Sequence, residues 1–262
     1  IFGVSPMKTS RLLLVLSLLF VIALPAVAQK KLKTAQDYFS RGFKYSEAGK
    51  LDLALADYEA ALKLDSLECD IYNNIAGVFS QKKKFDIALQ NYSKAVQCAK
   101  SMRNDQKASI FTLNRALCKH EMGDYQEAIK DYSLLVEVDS TTLTSISLEL
   151  LYLKKYDDAI QNAKKVLNLS KVTEDAKASA ALHSAYAFMF KSDIDKALEI
   201  HKANQDYQFG YASWKEYVKQ DFTGFRKAGL PTENMNKIGK VKLRKLRKDR
   251  KSTRLNSSHI TL

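Results

Sequence analysis

The stretch "GKLDLALADYEAALKLDS", residues 49–66, places apolar residues at helical spacing between a Gly-Lys turn and an Asp-Ser exit, and so predicts one amphipathic helix. The same pattern returns in "KKFDIALQNYSKAVQCAK" from Lys83, "GDYQEAIKDYSLLVEVDS" from Gly123 and "KKYDDAIQNAKKVLNLS" from Lys154. Four alanines mark it, Ala54, Ala88, Ala128 and Ala159, and the first two are 34 residues apart. Only 9 glycines and 3 prolines interrupt 262 residues, and strand-like alternation is nearly absent, so the body is predicted to be all-α. A further stripe at helical spacing, Trp214, Tyr217, Val218, Phe222 and Phe225, predicts helix within 207–236, ended by Gly229 and Pro231.

The two ends read differently from this body. Residues 1–6 precede the first methionine and are expected to be upstream read-through. From Met7, a basic start (Lys8, Arg11), an apolar run Leu12–Leu24 and the small residues Ala26 and Ala28 predict a signal peptide over 7–28, cleaved after Ala28 to leave Gln29 first. The alternative is a membrane anchor, but thirteen apolar residues fall short of the roughly 20 that a spanning helix needs. No cysteine follows the cleavage site, so a lipid anchor is not expected, nor is stable membrane insertion after cleavage. At the other end "DRKSTRLNSSH", Asp249–His259, resembles the codon-for-codon translation of a common sequencing adapter. Residues 249–262 are therefore expected to be an artefact, with the native C-terminus missing.

Removing the ends changes the charge argument. The whole chain carries a formal +13, which would suggest nucleic acid or anionic lipid. Seven of those charges sit in the basic stretch 237–248, "KIGKVKLRKLRK", and the body over 29–236 is close to neutral. Nucleic-acid binding by the folded body is therefore not expected. The basic stretch itself reads as a linker, a tail or the entry to a further domain. Three cysteines, Cys69, Cys98 and Cys118, lie within or beside helical patterns without metal-site spacing. They read first as small buried hydrophobes. A Cys98–Cys118 bridge across neighbouring helices is the alternative.

The repeated blocks resemble the tetratricopeptide repeat, a helix-turn-helix unit of 34 residues. Repeat one, 35–68, carries Tyr38, Gly42, Tyr45, Gly49, Leu51, Ala54, Tyr58 and Ala61 at the family's positions. Repeat two, 69–102, carries Tyr72, Ala76, Phe79, Phe85, Ala88, Tyr92 and Ala95. Repeat three begins near Ser109 and keeps Ala116, Gly123, Tyr125, Ala128 and Tyr132; six extra residues before it are expected to lengthen the preceding helix. Repeat four keeps Tyr156, Ala159 and Val166, with a first helix expected to be three residues short, and a degenerate fifth surrounds Ala185, Phe188 and Ala197. The resemblance implies a right-handed α-solenoid over 29–206, closed by the capping helices of 207–236. Gly42, Ala54, Ala76, Ala88, Ala128 and Ala159 are the small packing positions, and Tyr58, Tyr92 and Tyr132 the large ones, each tyrosine with a hydroxyl that can stay at the wet edge.

The resemblance also implies a concave groove lined by the first helix of each unit. Carried onto this chain, it names Phe39, Phe43 and Glu47 in repeat one, Asn73 and Asn74 in repeat two, Leu113, Leu117 and His120 in repeat three, and Tyr186 and Met189 in the fifth. The carboxylate-clamp subfamily uses Lys and Asn in repeat one and basic residues in repeat three. Phe39, Phe43, Ile110 and Asn114 stand at those places and only Asn74 is kept, so no clamp is expected. An apolar groove suits an amphipathic helix or an extended apolar peptide. In the alternative, Phe39 and Leu113 pack against a neighbouring helix, or the C-terminal segment folds back into the groove. His120, His183 and His201 fall on separate repeats with no HExxH, GxSxG or phosphate-binding glycine loop, so no catalytic residue, metal or cofactor is expected. The chain reads as an exported, bacterial-type, non-enzymatic scaffold for a protein or peptide partner. Two alternatives are the docking or sensory part of a larger enzyme or receptor, and carbohydrate binding by Phe39, Phe43, Tyr186 and Phe190.

Overall fold

A computed structural model describes residues 34–65, 68–135, 139–210 and 212–234, and divides the chain into two compact units, 1–66 and 67–262. The leader, the basic stretch and the adapter-like tail lie outside the described residues.

The first unit is one helical hairpin, α1 (Ala35–Glu47) and α2 (Leu51–Leu64). α1 opens on a capping box in which the Thr34 hydroxyl accepts from the Asp37 N–H at 3.1 Å and the Asp37 carboxylate accepts from the Thr34 N–H at 3.2 Å. Gly42 is where the two helices meet most closely: a Cβ there would lie 2.9 Å from the Tyr58 ring and 3.2 Å from the Ala54 carbonyl. Tyr58 itself is fully buried, hydroxyl included, so its oxygen is not at a wet edge.

The second unit runs α3 (Cys69–Gln81), α4 (Phe85–Ser101), α5 (Asp105–Met122), α6 (Tyr125–Ser133), α7 (Ser140–Tyr152), α8 (Tyr156–Leu167), α9 (Glu174–Phe190) and α10 (Ile194–Asn204). A short antiparallel ladder, β1 (Gln208–Phe209) with β2 (Ala212–Ser213), then leads into α11 (Trp214–Lys227). Residues 207–234 thus hold a strand pair and a single helix, where the sequence suggested helices alone. The extra residues before the third hairpin are shared between a long α4 and an α5 that starts at Asp105, four residues before Ser109. α7, at 13 residues, is as long as α1 and α3 and is not shortened.

Five hairpins close on one and the same turn. In each, a residue one or two places past the first helix enters the left-handed region and donates back three residues: Gly49 to Ser46, Lys83 to Ser80, Gly123 to His120, Lys154 to Leu151 and Ser192 to Met189. The next N–H reaches back five, as Lys50 does to Tyr45 and Asp193 to Phe188, which satisfies the carbonyls left open at a helix end. Glycine fills the turn position twice; Lys83, Lys154 and Ser192 hold φ near +60° without it.

Inside the hairpins the small and large positions pack as a set. Ala54, Ala76, Ala88, Ala128 and Ala159 are fully buried, and Tyr58, Tyr92 and Tyr132 are at most 6% exposed. A second feature marks the first and third hairpins. Arg41 makes a bidentate ion pair with Asp57, both bonds at 2.6 Å, and Arg115 repeats it with Asp131 at 2.8 and 2.7 Å. The hairpins in between put Ile75 and Asn91, or Ile146 and Asn162, at those places.

The cysteines are paired otherwise than the Cys98–Cys118 alternative, and two of them are not the simple buried hydrophobes of the first reading. Cys69 and Cys98 form a disulfide with their Cα atoms 5.5 Å apart, and Cys118 is a free, buried thiol. The reason is antiparallel geometry: Cys69 opens α3 and Cys98 lies in the last turn of α4, so the two ends of one hairpin bring them together. Cys118 packs instead in a separate cluster with Ala76, Ala88 and Tyr92.

Candidate functional site

In the second unit the first helices of successive hairpins lie side by side, and polar side chains link them. Between α3 and α5, Lys107 pairs with Asp70, the Asn114 amide donates to Asn73 Oδ1 at 2.9 Å, and Lys83 pairs with Glu121 at 3.2 Å. Asn74, on the same helix, donates to its own Asp70 carbonyl at 2.8 Å. Each member of this ladder has a partner of opposite character, so the face carries little uncompensated charge.

Beside the ladder, α5 leaves an apolar line in the open. Ile110 and Leu117 are 48% exposed and Leu113 is 36% exposed, at the i, i+3, i+7 spacing of one helix face. Opposite them on the same helix Ala108, Phe111, Ala116 and Cys118 are buried, so the exposed line is a second apolar face and not the one that holds α5 in place.

His120 ends this line in a different way. Its Nδ1 faces both carboxylate oxygens of Glu149 on α7, at 2.8 and 3.0 Å, and its ring stands edge-on to Tyr125 and Tyr152, which stack on each other with centroids 4.6 Å apart. Burial alone would lower the imidazole pKa, but the hydrogen bond and charge of Glu149 outweigh it and raise it. Burial conversely lifts Glu149 above the usual carboxylate range, against the pull of His120. His120 is therefore a post that joins α5 to α7, with its Nδ1 donor committed to Glu149.

The far end of the face is covered by the chain itself. Tyr186 and Met189, expected in the groove, are 0% and 1% exposed. Their surroundings come from α11, whose Phe225 ring lies 5.1 Å from Tyr186, 5.3 Å from Phe190 and 5.2 Å from Tyr152, while Phe222 lies 5.4 Å from Tyr186. The Tyr186 hydroxyl donates to Asp221 Oδ2 at 2.9 Å, and Trp214 donates through Nε1 to His201 Nδ1 at 3.1 Å. On the first unit, Phe43 is 48% exposed and Glu47 is exposed, while Phe39 leans on Tyr58 at 5.9 Å. The expected groove residues thus divide into exposed ones (Phe43, Glu47, Leu113, Leu117), half-buried ones (Phe39, Asn73, Asn74, His120) and covered ones (Tyr186, Met189). Glu149, Gly224 and Asp221 complete the face and were passed over, and Asn114 was named only as a place where the clamp is missing; the acid set among aromatics in "DFTGF" was the available signal for Asp221.

Among the described residues no three His, Cys, Asp or Glu side chains are arranged to hold a metal ion, and no helix is long and apolar enough to cross a membrane. Residues 113–142, from the middle of α5 to the start of α7, match the tetratricopeptide repeat model. The chain is 28% identical over 117 residues to mouse superkiller complex protein 3, a match that covers 44% of this chain and 7% of that protein. The human protein of that name matches over 38% of this chain and 6% of its own length, so the chain spans under a tenth of these relatives. Among solved structures, apo RapI aligns with TM-score 0.55 at 15% identity over 83% of this chain and 65% of its own. PilF of Pseudomonas aeruginosa aligns with TM-score 0.51 at 16% identity over 71% of this chain and 82% of its own. One matched unit and a shared fold give this chain a helical-hairpin architecture like that of tetratricopeptide repeat proteins.

Proposed function

We propose that the protein is a non-catalytic scaffold that holds a protein or peptide partner on the first-helix face of its second unit. The observation that carries this is the exposed line Ile110, Leu113 and Leu117 set beside a self-neutralised polar ladder. Apolar side chains at helical spacing on a rigid face are a recognition surface, since leaving them in water gains nothing for the fold. The name of the relative places that protein in a complex, which agrees with an assembly role. The test is Leu113→Glu with Leu117→Glu, compared with wild type by quantitative mass spectrometry of proteins co-isolated from native extract. Unchanged far-UV circular dichroism with a specific set of partners lost supports the scaffold; an unchanged set overturns it.

Export belongs to the same proposal. The leader-like sequence over 7–28 supports it, and so does the Cys69–Cys98 disulfide, a bond kept in oxidising compartments and rare in reducing ones. The mass of the mature chain tests it: the N-terminus should be Gln29. A second reading makes these repeats the docking part of a larger protein, and the great length of the matched relatives favours it. Resequencing the gene across Lys248 separates the two, because a long continuing frame would put further domains after the repeats.

A further inference from the structure

Three features set α11 apart from an ordinary terminal helix. It lies against the first helices α7 and α9, through Tyr152, Tyr186 and Phe190. It carries a carboxylate inward: Asp221 is partly buried and receives one hydrogen bond, from Tyr186, with no ion pair among the described residues. It also meets α7 through a glycine, since a Cβ on Gly224 would fall 2.6 Å from the Tyr152 hydroxyl.

We propose that Tyr152, Tyr186 and Phe190 form a docking shelf for an acidic-aromatic helix of the pattern Asp-Phe-x-Gly-Phe, and that α11 is its tethered, releasable occupant. Each element of the pattern has its counterpart. The two phenylalanines, three residues apart, enter from one face of the helix onto the Tyr186 ring. The small residue leaves room for the Tyr152 hydroxyl, and Tyr152 is itself held by stacking on Tyr125 and by the edge of His120. The carboxylate accepts from the Tyr186 hydroxyl. A helix suits the shelf because its backbone is satisfied internally.

Release follows from the same carboxylate. The groups around Asp221 are Tyr186 on α9, Tyr152 on α7 and Tyr217 on α11 itself, and among the described residues no cation offsets its charge. Burial pushes its carboxyl up to about 6, against the pull of the Tyr186 hydrogen bond. At neutral pH the docked helix therefore holds a charge that water would solvate better, and docking is weaker than the aromatic contacts alone would make it.

The inference rests on the scaffold reading, and its test uses neither Leu113 nor Leu117, so the two fail separately. The probe is a labelled peptide of residues 213–230 added to the full chain, read by fluorescence anisotropy at neutral pH. Phe222→Ala with Phe225→Ala frees the shelf and should bind the peptide at least tenfold more tightly than wild type; Asp221→Asn, which removes the charge, should bind it more weakly. Hydrogen exchange on the unaltered chain is the second measurement, needed if the double variant fails to fold. There α11 amides should exchange at least tenfold faster, after correction for intrinsic rates, than those of α9. A folded double variant that ignores the peptide, or α11 and α9 exchanging as one unit, overturns the proposal.

Discussion

Replacing Cys69 and Cys98 by serine should destabilise the second unit by an amount set by the loop that the bond closes. The two residues are 29 apart in sequence, and the bridge removes the corresponding freedom from the unfolded chain alone. Loop-closure entropy for that length is about 12 cal/mol/K, or about 3.5 kcal/mol at 25 °C. With a urea dependence of roughly 1–3 kcal/mol/M, the midpoint should fall by roughly 1–3 M, and dithiothreitol should lower the wild type to the same value. The assay has an internal control in Cys118, which is free. Alkylation of the unfolded, unreduced chain should label that thiol only. Three labelled cysteines would refute the pairing. A bond that is present, with equal midpoints for wild type and double serine variant, would refute the entropic reasoning.

Three other perturbations test different levels of the fold. Gly42→Ala should cost about 1–3 kcal/mol by driving a methyl against the fully buried Tyr58 ring, seen as lost exchange protection in α1 and α2. Lys83→Gly and Lys154→Gly should each stabilise by about 1 kcal/mol, because both lysines hold φ near +60° in a turn where Gly49 and Gly123 do so freely; thermal melts give the increment. Asp221→Asn should stabilise at neutral pH by up to about 3 kcal/mol, from a carboxyl raised from 3.8 to about 6. The folded state then binds the proton more tightly than the unfolded one, so the penalty in wild type is complete above pH 6 and is relieved as pH falls toward 3.8. The gap between the two chains should close over that window. His183 and His201, lowered by burial to about 4, act in the opposite direction and lose stability as pH falls from 6.5 to 4, but they cancel in the comparison.

The hairpins were legible because packing leaves little choice where two helices touch. A position that admits only alanine or glycine recurs with the unit, as Ala54, Ala88, Ala128 and Ala159 do, and a tyrosine four residues on recurs in the first three. The Arg–Asp ion pairs were equally present in the sequence, Arg41 with Asp57 and Arg115 with Asp131, yet a comparison made between neighbouring units passes over them because the second and fourth lack them. The disulfide needed more than periodicity. Cys69 lies in no obvious relation to Cys98 until the hairpin is folded back, whereas Cys98 and Cys118 are nearer in sequence. Antiparallel folding, not separation along the chain, decides which thiols meet.

The covered end of the face was harder for a physical reason. Tyr186 and Met189 would look the same in sequence whether a partner or the chain's own helix lay over them, since both demand large apolar side chains at the same spacing. The stripe Trp214, Phe222 and Phe225 likewise says that α11 is covered without saying by what. What separates a permanent cap from an exchangeable occupant is the residues that burial alone would not select. A helix chosen only to close a stack gains nothing from an unpaired carboxylate turned inward, nor from a glycine in its last turn, which costs helix stability. α11 carries both, and each meets a tyrosine hydroxyl: Asp221 that of Tyr186, Gly224 that of Tyr152. Those two contacts give the shelf a choice of ligand, because they discriminate against a bulkier or purely apolar helix, and they lower the affinity of the helix already there. The open α5 line offers apolar contact without such discrimination, so specificity on this face rests with the end that its own chain now covers.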